Sequence, residues 1–195
     1  MTLIVIIKIL AIIILLLLSA LSSGSETALT AVSKQRAHRQ KDKGAKNANF
    51  ILKIKEFKDE FITGILLANN LFNILATALM TELLVSEFGG LGVSVATIFM
   101  TLMIVIFSEV TPKIFAINKP MTFALKVSKF FYFYTKLIKP IVNLINKVSN
   151  KIIKLIGLNL NADQSKIIEE EFEGAVQLQK QYSKDGGYEA EYMSN

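Results

Sequence analysis

Residues 3–21 read LIVIIKILAIIILLLLSAL, an apolar run broken only by Lys8 until it meets Ser19. About 20 apolar residues are needed for a helix to cross the ~30 Å hydrocarbon core of a bilayer, so this stretch is long enough to span. Two further blocks pass the same test. Phe61–Leu84 carries Asn69, Asn70 and Asn73, and Val93–Ile117 carries Glu109 and Lys113. With 52% hydrophobic residues and no Trp among 195 residues, the composition agrees that much of the chain sits in lipid. The expected fold is an all-α membrane protein with three transmembrane helices, at about 3–22, 61–84 and 93–117.

Charge sets the expected orientation, because basic loops stay on the cytoplasmic side. Nine Lys or Arg against two acids lie between Ser33 and Lys58, and the chain after Lys113 is again Lys-rich. The Thr81–Gly92 connection holds Glu82 and Glu87 and no base. The reading is a multi-pass protein of the cell inner (plasma) membrane, with its amino terminus outside and its carboxyl terminus cytoplasmic. A cleaved signal peptide over residues 1–22 is the rival reading, since Ser19, Ala20, Ser22, Ser23 and Gly24 resemble a processing site. The basic residues follow the apolar run instead of preceding it, which favours a retained anchor.

Without Cys, disulfides and thiolate metal sites are excluded. The net charge of +6 lies beside the spans, so anionic lipid headgroups are the expected partner and nucleic acid is not. From Pro120 to Gly157 seven lysines (Lys126, Lys129, Lys136, Lys139, Lys147, Lys151 and Lys154) punctuate an apolar and aromatic stretch. At about 100° per residue they fall in an arc of roughly 140°, the pattern of a helix lying in the headgroup layer. Pro140 is expected to divide this segment into two juxtamembrane helices. A fourth span through residues 122–138 competes, but it would have to bury or snorkel three lysines. The domain reading is a membrane domain over 1–160 followed by a partly disordered tail at 161–195, which holds eight of the sixteen acids.

Several polar residues inside the spans are candidates for chemistry. Glu109 leads, since an ionisable group within a span costs about 3 kcal/mol on insertion scales. Its plain alternative is a local ion pair with Lys113. Proline lacks a backbone donor, so Pro112 is expected to free the carbonyl near Ser108 and open the helix beside the acid. Ser19 and Ser23 stack on one face of the first helix, and Asn69 and Asn73 on one face of the second. Taken alone, close packing of small residues is the better account of the serines, and interhelical hydrogen-bond glue is the plain alternative for the amides. Taken together the set offers hydroxyl, amide, carboxylate and carbonyl oxygens, which suit a hard cation such as magnesium, sodium or calcium. His38 reads as a solvated loop residue. Ser23-Gly24-Ser25-Glu26 is no nucleophile elbow, and the chain is not expected to be an enzyme.

The same residues carry a family resemblance. Ser23-Gly24-Ser25-Glu26-Thr27-Ala28-Leu29, Asn69-Asn70-Leu71-Phe72-Asn73-Ile74 and Glu109-Val110-Thr111-Pro112-Lys113 resemble, in order on successive spans, the membrane domain of the CorC and cyclin-M (CNNM) family of magnesium and cobalt efflux proteins. The similarity covers about residues 3–160, and in that family the amphipathic helices wrap the spans as a belt. It implies a homodimer exporting a dehydrated magnesium ion from an inward-facing acidic cavity, driven by sodium entry. The implied ligands are Ser19, Ser23, Asn73 with Asn69 nearby, and Glu109, beside a helix break at Ser108, Pro112 and Lys113. Two positions depart, since the family usually has Gly at Ser108 and at Ala68. Relatives commonly continue into paired CBS domains, which these residues lack, so nucleotide regulation is expected to be absent or supplied by a separate CBS-containing or other cytoplasmic partner. The competing function is a non-transporting scaffold or regulatory subunit working with such a partner. A weaker one is a membrane-permeabilising protein acting through the lysine-rich stretch.

Overall fold

A computed structural model describes residues 2–156, so the tail reading at 161–195 and the boundary at 160 lie outside the described residues. The chain divides into two units, Met1–Asn146 and Lys147–Asn195. The helices of the first unit run α1 (Thr2–Ala31), α2 (Lys34–Asp42), α3 (Ala48–Glu56), α4 (Lys58–Phe88), α5 (Leu91–Met103), a π-helical segment (Ile104–Val110), α6 (Thr111–Asn118) and α7 (Pro120–Leu155), which continues past the unit boundary. Among the described residues three stretches are long and apolar enough to cross a membrane: Leu3–Ala31, Lys58–Phe88 and Leu91–Asn118. The three expected spans are therefore present, each longer than its apolar run.

α1 runs nine residues past the expected span end at 22 because its hydroxyls serve the helix. Ser22, Ser25, Thr27 and Thr30 each donate to the carbonyl four residues back, so the polar cluster that was expected to end the span is absorbed by its own backbone. At the far end Lys55 Nζ donates to the Thr30 carbonyl at 3.2 Å, filling one of the acceptors that a helix terminus leaves open. Burial, with the like charges of Lys58 and Lys34, holds the Lys55 ammonium below the usual lysine range. Ser33 then caps α2, its hydroxyl accepting from the Arg36 amide.

Burial along α1 changes at Ser19. Before it, Leu3, Ile4, Ile6, Ile7 and Leu10 are exposed, as expected of side chains that face lipid. From Ser19 on, Ser22, Ser23, Gly24 and Ser25 are buried, the small residues that let helices approach where apolar burial between spans yields little. A Cβ on Gly24 would lie 2.9 Å from the Phe123 ring and 3.3 Å from the Pro112 carbonyl oxygen. The α4–α5 turn is tighter still. At Gly92 a Cβ would run into the backbone of Leu84 and Val85, and no side chain fits there.

Two expectations about proline need correction. Pro112 does not open the third span. The helix widens into the π segment, where the Thr111 amide reaches the Ile106 carbonyl, and α6 continues with Pro112 in its first turn. A π turn shifts the backbone register by one residue and takes up the missing donor without a break. Pro140 likewise does not divide α7, which runs as one helix from Pro120 to Leu155. Pro140 is exposed while Thr135 and Val142 on either side are buried, so packing outweighs the lost backbone bond.

α7 is not among the helices apolar enough to span. Within the first unit it carries three stripes at ~100° per residue. Ala124, Val127, Phe131, Thr135 and Val142 form the buried seam. Lys126, Lys129, Lys136 and Lys139 form the second stripe, and the exposed Phe130, Phe133, Leu137 and Ile141 the third. The seam joins a core made with Leu29, Ile51, Ile54, Phe61 and Ile65. α7 is thus the amphipathic helix that the lysine spacing led us to expect.

The glycines give a differential test. Gly92→Ala should lower stability by about 1–3 kcal/mol or more through the backbone clash, while Gly90→Ala, which meets nothing within 4 Å, should stay within about 0.5 kcal/mol. Thermal unfolding of both variants in detergent, followed by circular dichroism, checks the ordering.

Candidate functional site

The centre of the site is a hydroxyl with too many partners. Ser19 Oγ lies 2.5 Å from Asn69 Oδ1 and 2.6 Å from Asn73 Oδ1, drawing α1 and α4 together at that depth. A hydroxyl has one proton, and both amide groups present acceptor oxygens. Only one of the two short contacts is a hydrogen bond at any moment, and the other sets lone pair against lone pair. Turning either amide to offer its NH2 group would remove the conflict. Oxygens gathered with too few protons are the electrostatic complement of a cation.

One turn along α1, Ser23 Oγ is fully buried and has no hydrogen-bond partner among the described residues. Ser22 and Ser25 on the same helix both bond back to the backbone. Ser19 and Ser23 are thus the two serines of α1 whose hydroxyls are not spent on their own helix. An unpaired hydroxyl in a buried site costs about 1–3 kcal/mol.

The π segment meets the same stretch of α1. Ser108 is buried, and its Oγ donates to the Leu16 carbonyl at 3.2 Å, three residues before Ser19. The next residue, Glu109, is half-buried. Among the described residues it has no hydrogen bond or ion pair, and the local pair with Lys113 is not formed. The structure therefore joins Ser19, Asn69 and Asn73 directly and leaves Ser23 buried one turn away. It does not bring Glu109 into hydrogen-bonding contact with them. Asn70 is exposed and stands apart. No group of three or more His, Asp or Glu side chains suited to a metal occurs among the described residues, so any ion held here is held mainly by neutral oxygens.

Two features escaped the sequence reading. Lys8, the one charge in the first apolar run, pairs with Glu82 of α4 at 2.7 Å. The demand that a charge within a span find a partner, set beside the acids that follow the second span, was the available signal. Asn73 also opens a groove of about 710 Å³ that continues along α4 past Thr77 and Thr81 to Glu82, with Ile104 opposite. The one-turn spacing of Asn73, Thr77 and Thr81 was visible in the sequence. Each threonine donates its proton to the carbonyl one turn back, which leaves the hydroxyl lone pairs for other use.

Fold and site together define a three-span membrane domain with an oxygen-lined polar cluster between its first two spans. Residues 10–189 match the Cyclin M transmembrane N-terminal domain family, and the chain belongs to that family. This is a family of membrane domains and not of enzymes. The chain is similar to a UPF0053 protein of Haemophilus influenzae, 33% identical over 78% of this chain and 36% of the relative. It is also similar to the UPF0053 inner membrane protein YfjD of Escherichia coli, 31% identical over 69% of this chain and 31% of the relative. A putative chloroplastic DUF21 domain-containing protein of Arabidopsis thaliana is 31% identical over 69% of this chain and 20% of its own length. The chain thus spans about a third of its bacterial relatives and a fifth of the plant protein.

The two serines should respond in opposite ways. Ser19→Ala leaves two amide oxygens facing each other and should lower stability by about 1–3 kcal/mol. Ser23→Ala removes a hydroxyl with nothing to bond and should be neutral or stabilising without divalent ions. Melting temperatures in a chelator-containing buffer check both.

Proposed function

We propose that this chain is the membrane core of a divalent-cation exporter that takes a dehydrated magnesium ion between its spans. The observation that carries the reading is the meeting of two amide oxygens on the single Ser19 hydroxyl, beside the unpaired hydroxyl of Ser23. Family membership supports it through the resemblance to magnesium and cobalt efflux proteins.

Magnesium takes six oxygens at about 2.1 Å, which places adjacent ligands about 3 Å apart. The contacts at Ser19 are shorter than that, so an entering ion would spread the three oxygens by a few tenths of an ångström. The Ser19 proton would turn away from the metal. Ser23 supplies a fourth oxygen, and water or Glu109 completes the shell. Neutral oxygens alone leave a double charge poorly compensated at membrane depth. Glu109 sits one residue past the Ser108 anchor on the π segment, where a register shift of one residue can re-aim it. Its approach would neutralise part of the ion's charge, and its retreat would weaken the hold.

In this reading the basic α2, α3 and α7 side is cytoplasmic, the Lys8–Glu82 end is outer, and the protein works as a homodimer with sodium entry as the driving force. Regulation, where present, comes from CBS or other cytoplasmic parts.

Efflux from magnesium-loaded proteoliposomes tests the reading. Asn73→Ala and Ser19→Ala should each slow efflux by about tenfold or more, the effect of about 1.4 kcal/mol per decade for a lost oxygen on a charged ion. Ser22→Ala, whose hydroxyl serves the backbone, should not. Equal rates in all three variants and the natural chain would remove the site. Glu109→Gln should slow efflux while largely sparing binding, as read by magnesium-dependent thermal stabilisation.

A further inference from the structure

The side of α7 turned away from its buried seam carries a groove of about 570 Å³, lined chiefly by Asn47, Lys126, Lys129, Phe130, Phe133 and Leu137. Its floor is apolar, and Phe130, Phe133 and Leu137 are 58%, 54% and 78% exposed. Both charged residues that line it are lysines, one turn apart on α7, and no acid is among its lining residues. An open apolar trough with two cations at one end matches the polarity of an amphiphile with an anionic head.

The groove is built and not an accident of mobile side chains. Asn47 holds a left-handed conformation at φ 72° and serves as the hinge before α3. It is latched to α7 at two points. Its Nδ2 donates to the Leu125 carbonyl at 3.0 Å, and its own carbonyl accepts from the buried Ser128 hydroxyl at 3.2 Å. On the other wall Tyr134 donates its hydroxyl to the Gly64 carbonyl of α4 at 3.2 Å. Burial pushes the Tyr134 phenol above its usual range, so it stays a donor. Phe50 braces Phe133 from behind, with ring centroids 5.9 Å apart.

We propose that this groove is a specific site for an anionic phospholipid, its phosphate held between Lys126 and Lys129 and an acyl chain lying along Phe130, Phe133 and Leu137. Charge complementarity selects the occupant. A peptide would leave its backbone groups unpaired against an apolar floor, whereas an acyl chain has none to pair. A lysine is drawn to an anionic headgroup, so two of them distinguish an anionic from a zwitterionic headgroup. The proposal does not depend on the ion-transport reading, and neither result bears on the other.

The test uses the full chain purified in a neutral detergent, its melting temperature read on addition of phosphatidylglycerol, phosphatidylcholine or soluble glycerol 3-phosphate. Phosphatidylglycerol should stabilise the natural chain, and the other two should not. Lys126→Gln/Lys129→Gln should lose most of that shift, while Lys34→Gln/Lys41→Gln, exposed on α2 and outside the groove, should keep it. Lys126→Arg/Lys129→Arg should restore it, which separates charge from any loss of folding, and native mass spectrometry should show the retained lipid following the same order. Stabilisation by phosphatidylcholine to the same degree would overturn the proposal. So would an equal shift from glycerol 3-phosphate, or equal losses in the two glutamine pairs.

Discussion

A polar group in a bilayer must find its partner inside the protein, and the described spans obey that demand nearly everywhere. Threonines and serines bond back to their own helices, Ser108 bonds across to α1, and Lys8 meets Glu82. Ser19, Ser23 and Glu109 are where the rule strains. Among the described residues Ser19 is claimed by two acceptors, Ser23 has no partner, and Glu109 has neither hydrogen bond nor ion pair. Lipid offers no water to complete either set of bonds.

The rest of the membrane domain serves to hold that imbalance in place. Small residues bring α1 against its neighbours, and Gly24 allows the Pro112 carbonyl and the Phe123 ring to come close. The π segment carries Ser108 and Glu109 at the same level of α1 without breaking the third span. On the basic side a core of Leu29, Ile51, Ile54, Phe61, Ile65 and Phe131 locks α1, α3, α4 and α7 together. Phe130 and Tyr134 line the α7 groove on one side and a small cavity beside Leu18, Ser22 and Ala68 on the other. The same two side chains therefore separate the α7 surface from the neighbourhood of the polar cluster.

Much of the site was legible because helical spacing is rigid. Two residues four apart share a face in any helix, so Ser19 with Ser23 and Asn69 with Asn73 were paired before any packing was known. Glu109 stood out by its charge alone. The widened turn at Pro112 and the unbroken α7 were not legible, because proline states only which bond is missing. Whether the chain breaks, widens or carries on depends on neighbours that the local sequence does not contain.

The sequence by itself determined the solvent, the number of spans and the faces on which polar atoms lie, because transfer energy and helical period depend on residues close together in the chain. Only the tertiary structure decided that Ser19 is the hydroxyl on which both amides converge, that Ser23 finds no partner among the described residues, that Lys8 answers to Glu82, and that Glu109 makes no hydrogen bond to the oxygens it was grouped with. Those outcomes turn on the depth and rotation at which one helix meets another. Helix rotation is fixed by the close packing of small residues from several distant segments at once, and no single stretch of the chain encodes it.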